Sequence, residues 1–222
     1  MVTVLEYGNT FIPREDRDIA NVIQTRLEEL GVRFIFNAQV NEITDENELT
    51  TVSYLERSSG MSVKIPADAV LVATGRKAST ASLNLEAAGV AVNERGEIIV
   101  NELLQTTVPH IWALGDVKGG LQFTYISLDD FRIIKEQLFG QNDRTTANRP
   151  PVAYSVFLDP TFARVGLSEA EALLSGHKIK VAKIAEAASP RARLFGSTSG
   201  YLKAIVDAKS NKILGAAFFC SE

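Results

Sequence analysis

Asp116 is the residue best placed to do chemistry, because it follows Gly115 at the end of the apolar run Ile111-Trp-Ala-Leu-Gly-Asp-Val117. A carboxylate fixed at a strand end can accept hydrogen bonds from a sugar or ribityl hydroxyl, a charge-assisted contact worth about 1.5–3 kcal/mol. The glycine beside it lets a ligand approach the backbone closely. The same dipeptide also reads as a turn that merely stops a strand. A second apolar run, Val70-Leu-Val-Ala-Thr-Gly-Arg76, ends in a similar way. Thr74 and Gly75 either pack backbone against a dinucleotide or carry the chain out of a buried strand. Glu6 ends the strand-like segment Val2–Glu6, where β-α-β nucleotide folds place the acid that binds a ribose, or else it is a solvated surface acid. No G-x-G-x-x-G phosphate loop accompanies these residues, since no glycine falls two positions after another. The pattern is therefore the far side of a dinucleotide site without its phosphate-cradling near side.

The elements that must hold these residues can be read from periodicity. Glu15 to Leu30 places Ile19, Val22, Ile23, Leu27 and Leu30 on one helical face and stops at Gly31. With Val2–Glu6 before it and Val32–Phe36 after it, this predicts a β-α-β unit with a parallel crossover. Val40–Thr44, Thr50–Glu56 and Met61–Ile65, separated by the turn-rich Asp45–Glu48 and Ser58–Gly60, predict an antiparallel meander. The unbroken apolar run Ala69–Ala73 predicts a strand buried on both faces of a parallel sheet. A helical scrap at Leu85–Gly89, a hairpin over Val92–Val100, a strand Ile111–Leu114 and a helix Ser127–Phe139 follow. That helix sets Leu128, Phe131, Ile134 and Leu138 along one face. Gln141–Pro151 is polar, ends in two prolines and reads as a linker. Beyond it, Tyr154–Phe157, Ala163–Val165, Ile179–Lys183, Tyr201–Val206 and Ile213–Phe219 predict an antiparallel sheet. One helix interrupts that sheet, opened by the capping box Ser168-Glu-Ala-Glu171.

Composition narrows the function classes. The 222 residues, 45% hydrophobic and 23% charged, suit an ordinary globular protein with more than one core. A net charge of −4 without a basic block gives no footprint for nucleic acid. The longest apolar runs, such as Ile213–Cys220, are too short to span a membrane. Met1 leads directly into a strand without a secretory leader pattern, and a cytoplasmic protein is expected. The single Cys220 excludes an internal disulfide or C-x-x-C pair, and His110 and His177 have no cysteine near them, so no metal site is expected. Cys220 reads as a buried strand thiol and His110 as structural.

Taken in order, Glu6, Ala73-Thr-Gly-Arg76, Ala113-Leu-Gly-Asp116 and Asp159-Pro-Thr-Phe-Ala-Arg-Val-Gly-Leu-Ser-Glu169 resemble the pyridine nucleotide-disulfide oxidoreductases, which are FAD- and NAD(P)-dependent flavoproteins. The likeness runs over essentially the whole chain. Gly119-Gly-Leu-Gln-Phe-Thr-Tyr-Ile-Ser127 is similar to the mercuric reductase-like branch. The resemblance implies an α/β fold. Partial Rossmann-like parallel sheets with an antiparallel meander would be followed by an α+β interface domain with an antiparallel sheet. It divides the chain into a partial NAD(P)-binding domain (1–77), the carboxyl-terminal part of an FAD-binding domain (78–148) and a truncated dimerisation domain (149–222). Asp116 would bind the ribityl chain of FAD, Gly115 would make room for it, and Phe123 and Thr124 would lie near the flavin ring. The positive end of the following helix would favour the charge of a reduced flavin. Thr74 and Gly75 would pack against the dinucleotide. Glu6 would hold the adenosine ribose of the nicotinamide dinucleotide and favour NADH over NADPH, and residues 150–222 would form a homodimer.

The chain departs from the family pattern in lacking the FAD fingerprint, the redox-active cysteine pair and the late His and Glu acid–base pair. No catalytic residue is assigned. The intact protein is expected to be an oxidoreductase passing hydride from NAD(P)H through FAD to a disulfide, metal ion or other acceptor. This chain is expected to be an inactive segment of it that binds FAD weakly or not at all. The competing expectation is a free-standing binding or assembly module that keeps the nucleotide-edge fold and the dimerisation domain.

Overall fold

Alternation and helical periodicity build the two ends of the chain much as predicted. In the computed structural model, which describes residues 1–46, 49–140 and 143–221, β1 (Val2–Leu5) pairs in parallel with β2 (Val32–Ile35), and α1 (Arg17–Glu29) makes the crossover between them. β3 (Ala38–Glu46), β4 (Leu49–Glu56) and β5 (Met61–Ala67) form the antiparallel meander. Asn47 and Glu48 of its first turn, Gln141 and Asn142 of the polar stretch, and Glu222 lie outside the described residues.

β6 (Ala153–Val156), β7 (Thr161–Gly166), β8 (Ile179–Ala185), β9 (Tyr201–Asp207) and β10 (Ile213–Cys220) make one antiparallel sheet in the order β6-β7-β10-β9-β8. α3 (Glu169–Leu174) opens on the predicted box: Ser168 accepts from the Glu171 N–H, and the Glu171 carboxylate accepts from the Ser168 N–H. A second helix, α4 (Pro190–Phe195), was not predicted. Ser189 caps it and Pro190 fills its first position, which is the signal that would have revealed it.

The chain divides into two compact units, residues 1–71 with 151–222, and residues 72–150. In the first, Ile19 and Ile23 of α1 are fully buried against Phe162, Ala217 and Phe219 of the five-stranded sheet. Ala217 and Phe219 alternate with the exposed Phe218, so one face of β10 receives the helix. Each such side chain contributes about 1.5–3 kcal/mol through burial. Charge closes the same seam. The Lys203 ammonium, 1% exposed, lies 2.8 Å from Asp16, 2.8 Å from Asp18 and 2.5 Å from Glu169. Lys183 joins the last two carboxylates at 2.5 and 3.1 Å. Beside it, Arg164 pairs with Glu15 and Glu171, and the Tyr154 hydroxyl donates to Glu15.

The unit 72–150 is richer in turns than expected. The run Ala69–Ala73 forms no strand, and Val70, Leu71 and Val72 are 38%, 90% and 65% exposed. An apolar run becomes a central strand only when neighbours take up its N–H and C=O groups, and none does so among the described residues. Ile111–Leu114 likewise makes only the Gln105–Trp112 bridge, and Val92–Val100 closes through a single Val92–Ile98 bridge. Leu85–Gly89 is a series of turns. A small core of Val90, Ile98 and Ala113 holds these pieces.

The helix in this unit, α2 (Thr124–Phe139), begins one turn earlier than predicted. Its buried residues are Ile126, Asp130 and Ile133, while Leu128, Phe131 and Leu138 are half exposed. The stripe read from periodicity therefore lies on the outer side. Part of the expected linker is ordered structure: Arg144 and Arg149 both pair with Asp129, and the Thr146 N–H donates to the Glu102 carbonyl.

Candidate functional site

Gly115 opens a single 3-10 turn, Gly115–Lys118, whose second residue is Asp116. Two constraints fix the glycine. Its φ is +73°, a left-handed conformation, and a Cβ there would lie 2.8 Å from the Ser127 hydroxyl in the first turn of α2. A side chain here would have to displace the Ser127 hydroxyl, and it would also have to adopt the left-handed backbone. Asp116 remains half exposed, with its carboxylate 2.8 Å from the Arg76 guanidinium. An ion pair this open to water contributes about 0–1 kcal/mol and orients more than it stabilises. A carboxylate offers about four lone-pair sites, so Asp116 keeps acceptor capacity for a hydroxyl.

The structure thus joins the segment Thr74-Gly75-Arg76 to the Asp116 turn through Arg76, and sets that turn beside the helix that begins at Thr124. Thr74 and Gly75 are exposed, with Gly75 at φ +105°. Phe123 is the cap residue of α2, provides no side-chain cap, and stacks on Tyr125 with ring centroids 5.4 Å apart. The first turn of a helix carries partial positive charge, which favours an anionic or carbonyl partner. Burial pushes the Tyr125 phenol up. Carboxylate acceptor, close backbone and helix N-terminus are the groups this unit brings to one place.

Three residues behind the turn escaped the sequence reading. Asp130, Lys118 and Arg149 form a buried cluster: the Asp130 carboxylate accepts from the Gly115 N–H at 2.9 Å, lies 3.3 Å from the Lys118 ammonium, and pairs with Arg149. Asp129 beside it pairs with Arg144 and Arg149. Burial pushes the Asp129 carboxyl up, but these guanidinium contacts outweigh it and the net shift is downward. The signal was present in the spacing Ile126, Asp130, Ile133, an acid on what proved to be the inner face of the helix.

Glu6 belongs to the other unit. It follows β1 directly, its N–H donates to the Ile35 carbonyl, and its carboxylate accepts from the Gly8 N–H at 2.7 Å. The strand end therefore presents an acid whose orientation is set by a local turn. Asp16, Asp18 and Glu169 are close enough together to suggest a cation site, and the Lys203 ammonium occupies their centre. Cys220 lines a shallow concavity of about 430 Å3 with Asp159, Thr161 and Phe218. Burial, and then the Glu186 carboxylate, push its thiol up, the opposite of what activates a nucleophile. His110 is exposed.

Comparison with known proteins gives the family. Residues 1–130 match the family model of the pyridine nucleotide-disulphide oxidoreductases, and residues 152–222 match the dimerisation domain of that family. The chain is 50% identical over 220 residues to the probable pyridine nucleotide-disulfide oxidoreductase RclA of Escherichia coli, covering 99% of this chain and 48% of the relative. It is 36% identical to a mercuric reductase of Staphylococcus aureus over 97% of this chain and 39% of the relative. A solved structure described as HOCl-induced flavoprotein disulfide reductase RclA from Escherichia coli superposes with a TM-score of 0.89 at 48% identity, covering 100% of this chain and 49% of that one. The chain spans about half the length of these relatives or less. Among the described residues no helix is long and apolar enough to cross a membrane. With the motifs, the sheets and both family models in agreement, the chain belongs to the pyridine nucleotide-disulphide oxidoreductase family.

Proposed function

We propose that this chain supplies the flavin-gripping edge of an FAD-dependent oxidoreductase that passes hydride from a nicotinamide dinucleotide to a disulfide, metal ion or other acceptor. The observation that carries this reading is the Gly115-Asp116 turn, pressed against α2 where a Cβ would meet the Ser127 hydroxyl and leaving a carboxylate open to the outside. When bound, FAD supplies the two-electron relay between nicotinamide and acceptor.

The chain's own residues do the holding. Asp116 accepts from a ribityl hydroxyl, Gly115 admits the ribityl chain to the backbone, and the start of α2 at Phe123 and Thr124 faces the electron-rich side of the flavin. Thr74 and Gly75 pack backbone against the dinucleotide. Glu6 takes the adenosine ribose of the nicotinamide dinucleotide, and its charge opposes a 2′-phosphate, so NADH is preferred to NADPH. In this reading residues 1–77 belong to a nucleotide domain and 78–148 to a flavin domain. Residues 149–222 form a homodimer interface, a role supported by the dimerisation-domain match.

The test is a flavin titration of the 222-residue chain followed by fluorescence quenching. With one carboxylate and one helix end set against the ordering of a large cofactor, binding should be weak, with Kd above about 10⁻⁴ M. Loss of one charge-assisted hydrogen bond in Asp116→Ala should weaken it a further ~10-fold or more. Unchanged binding by Asp116→Ala, or no quenching by the wild-type chain at millimolar flavin, would remove the basis for this reading.

A further inference from the structure

Asp130 is fully buried, and two of the three donors it meets belong to the turn in front of it. It lies in the second turn of α2. Its Oδ2 atom accepts from the Gly115 N–H at 2.9 Å and lies 3.3 Å from the Lys118 ammonium, while Oδ1 pairs with Arg149. Gly115 and Lys118 are the first and last residues of the 3-10 turn that carries Asp116. One carboxylate therefore ties both ends of that turn to the helix whose N-terminus faces the proposed flavin.

A desolvated carboxylate is a costly way to pack a helix, since an apolar side chain would need no partners at all. What it offers is direction. Apolar packing lets a turn slide by fractions of an ångström, whereas a hydrogen bond and an ion pair from one rigid group fix where the turn stands. Lys118 is itself only 10% exposed and Arg149 13%, so the tethers are shielded from competing water. Arg149 is also held by Asp129 at 2.6 Å.

We propose that Asp130 is the positioning residue of the flavin site: by holding Gly115 and Lys118 against α2 it sets the orientation in which Asp116 is presented to the ribityl chain. The proposal rests on the flavin reading of Asp116. It assigns to Asp130 no contact with the cofactor, only control of the residue that makes one.

The experiment compares Asp130→Ala and Arg149→Met in the 222-residue chain by amide hydrogen exchange and by flavin titration. Both variants break the same buried ion pair, but only the first releases the turn. In Asp130→Ala the Gly115 amide should exchange at least ~10-fold faster relative to amides within α2, and flavin affinity should fall by at least ~10-fold. In Arg149→Met both quantities should stay within about two-fold of wild type once global stability is accounted for. Equal effects of the two variants would show Asp130 to be a structural anchor only and would overturn the proposal, as would an unchanged Gly115 exchange rate in Asp130→Ala. If Asp130→Ala does not fold, Asp130→Asn, which keeps one acceptor for Gly115 and loses the Lys118 pairing, is read by the same two measurements. A wild-type chain that takes up no flavin would sink the function proposed above, while Gly115 exchange still decides whether Asp130 holds the turn.

Discussion

Replacing Lys203 with methionine tests the charged seam between α1 and the five-stranded sheet. Methionine keeps most of the apolar stem, so the change removes the ammonium while largely preserving packing. Three carboxylates, Asp16, Asp18 and Glu169, are then left around a centre that had held a cation at 2.5–2.8 Å. Lys183 alone remains to offset two of them. Removing one member of a buried ion cluster costs about 3–5 kcal/mol. The three acids are 14%, 26% and 31% exposed and can recruit water, which favours the lower end, about 3 kcal/mol. In a chain of this length that lowers Tm by ~6–12 °C.

The assay must follow the right unit. Trp112 lies in residues 72–150, so tryptophan fluorescence reports the wrong half and far-ultraviolet circular dichroism should be used for urea and thermal unfolding. The pH dependence gives a second reading. In the wild type the hydrogen bond from Lys203 holds the Glu169 carboxyl down against burial. Burial pushes Asp18 up, but hydrogen bonds from Lys183 and Lys203 bring it down overall. Groups depressed on folding stabilise above their unfolded pKa of about 4 and lose that contribution as pH falls through the folded value. In Lys203→Met the crowded acids should instead take up protons readily, so the gap between variant and wild type should narrow below about pH 5. A loss under ~1 kcal/mol at neutral pH, or a gap that stays constant down to about pH 4, would refute the account of this cluster.

Gly115→Ala should fold poorly or lose ~2 kcal/mol or more, because it adds left-handed strain to a contact too short for a methyl group; near-neutral stability in denaturant titration would contradict the close approach. The Tyr154 phenol is pushed up to about 12 by burial and by its hydrogen bond to Glu15. A phenol raised on folding stabilises fully below its unfolded pKa and loses that contribution as pH rises through about 12, so an ultraviolet titration should find a tyrosine component still protonated at about pH 11 that Tyr154→Phe removes. Leu71, 90% exposed in an unpaired apolar run, should drive self-association in concentrated solution, and Leu71→Lys should reduce the apparent mass seen by light scattering.

The five-stranded sheet and the meander were legible because antiparallel strands with one wetted face write their alternation into the sequence, as in Ala217, Phe218 and Phe219. The capping box at Ser168 and Glu171 was legible for a similar reason, since both halves lie within one turn. Ala69–Ala73 misled because its apolar run records the partners a strand needs, and a run cannot say whether they are present. In α2 the periodicity of Leu128, Phe131 and Leu138 was real, yet the packed face was the one carrying Asp130. Hydrophobicity ranks that face lower because it ignores a carboxylate whose burial is offset by three donors. Of the site, Gly115, Asp116 and the helix start were readable from local motif. The tethers from Lys118, Arg149 and Arg76 were not, because nothing in sequence spacing relates Arg76 to Asp116 across 40 positions.

The seam at Lys203 also dictates an order of events in synthesis. Its partners Asp18 and Lys203 are 185 positions apart, and the unit they close is assembled from residues 1–71 and 151–222 with another unit in between. When α1 emerges from the ribosome it can meet β2, Phe11 and Ile12, but the sheet side of its apolar face and its three leading acids lack their partners, since Phe162, Arg164, Lys183, Lys203 and Phe219 are yet to be made. The loop that must close is long, and contacts of such separation form late. The nascent helix thus waits for those later strands with part of its apolar face uncovered, and the acids Glu15, Asp16 and Asp18 keep that waiting surface soluble before they become its counter-ions.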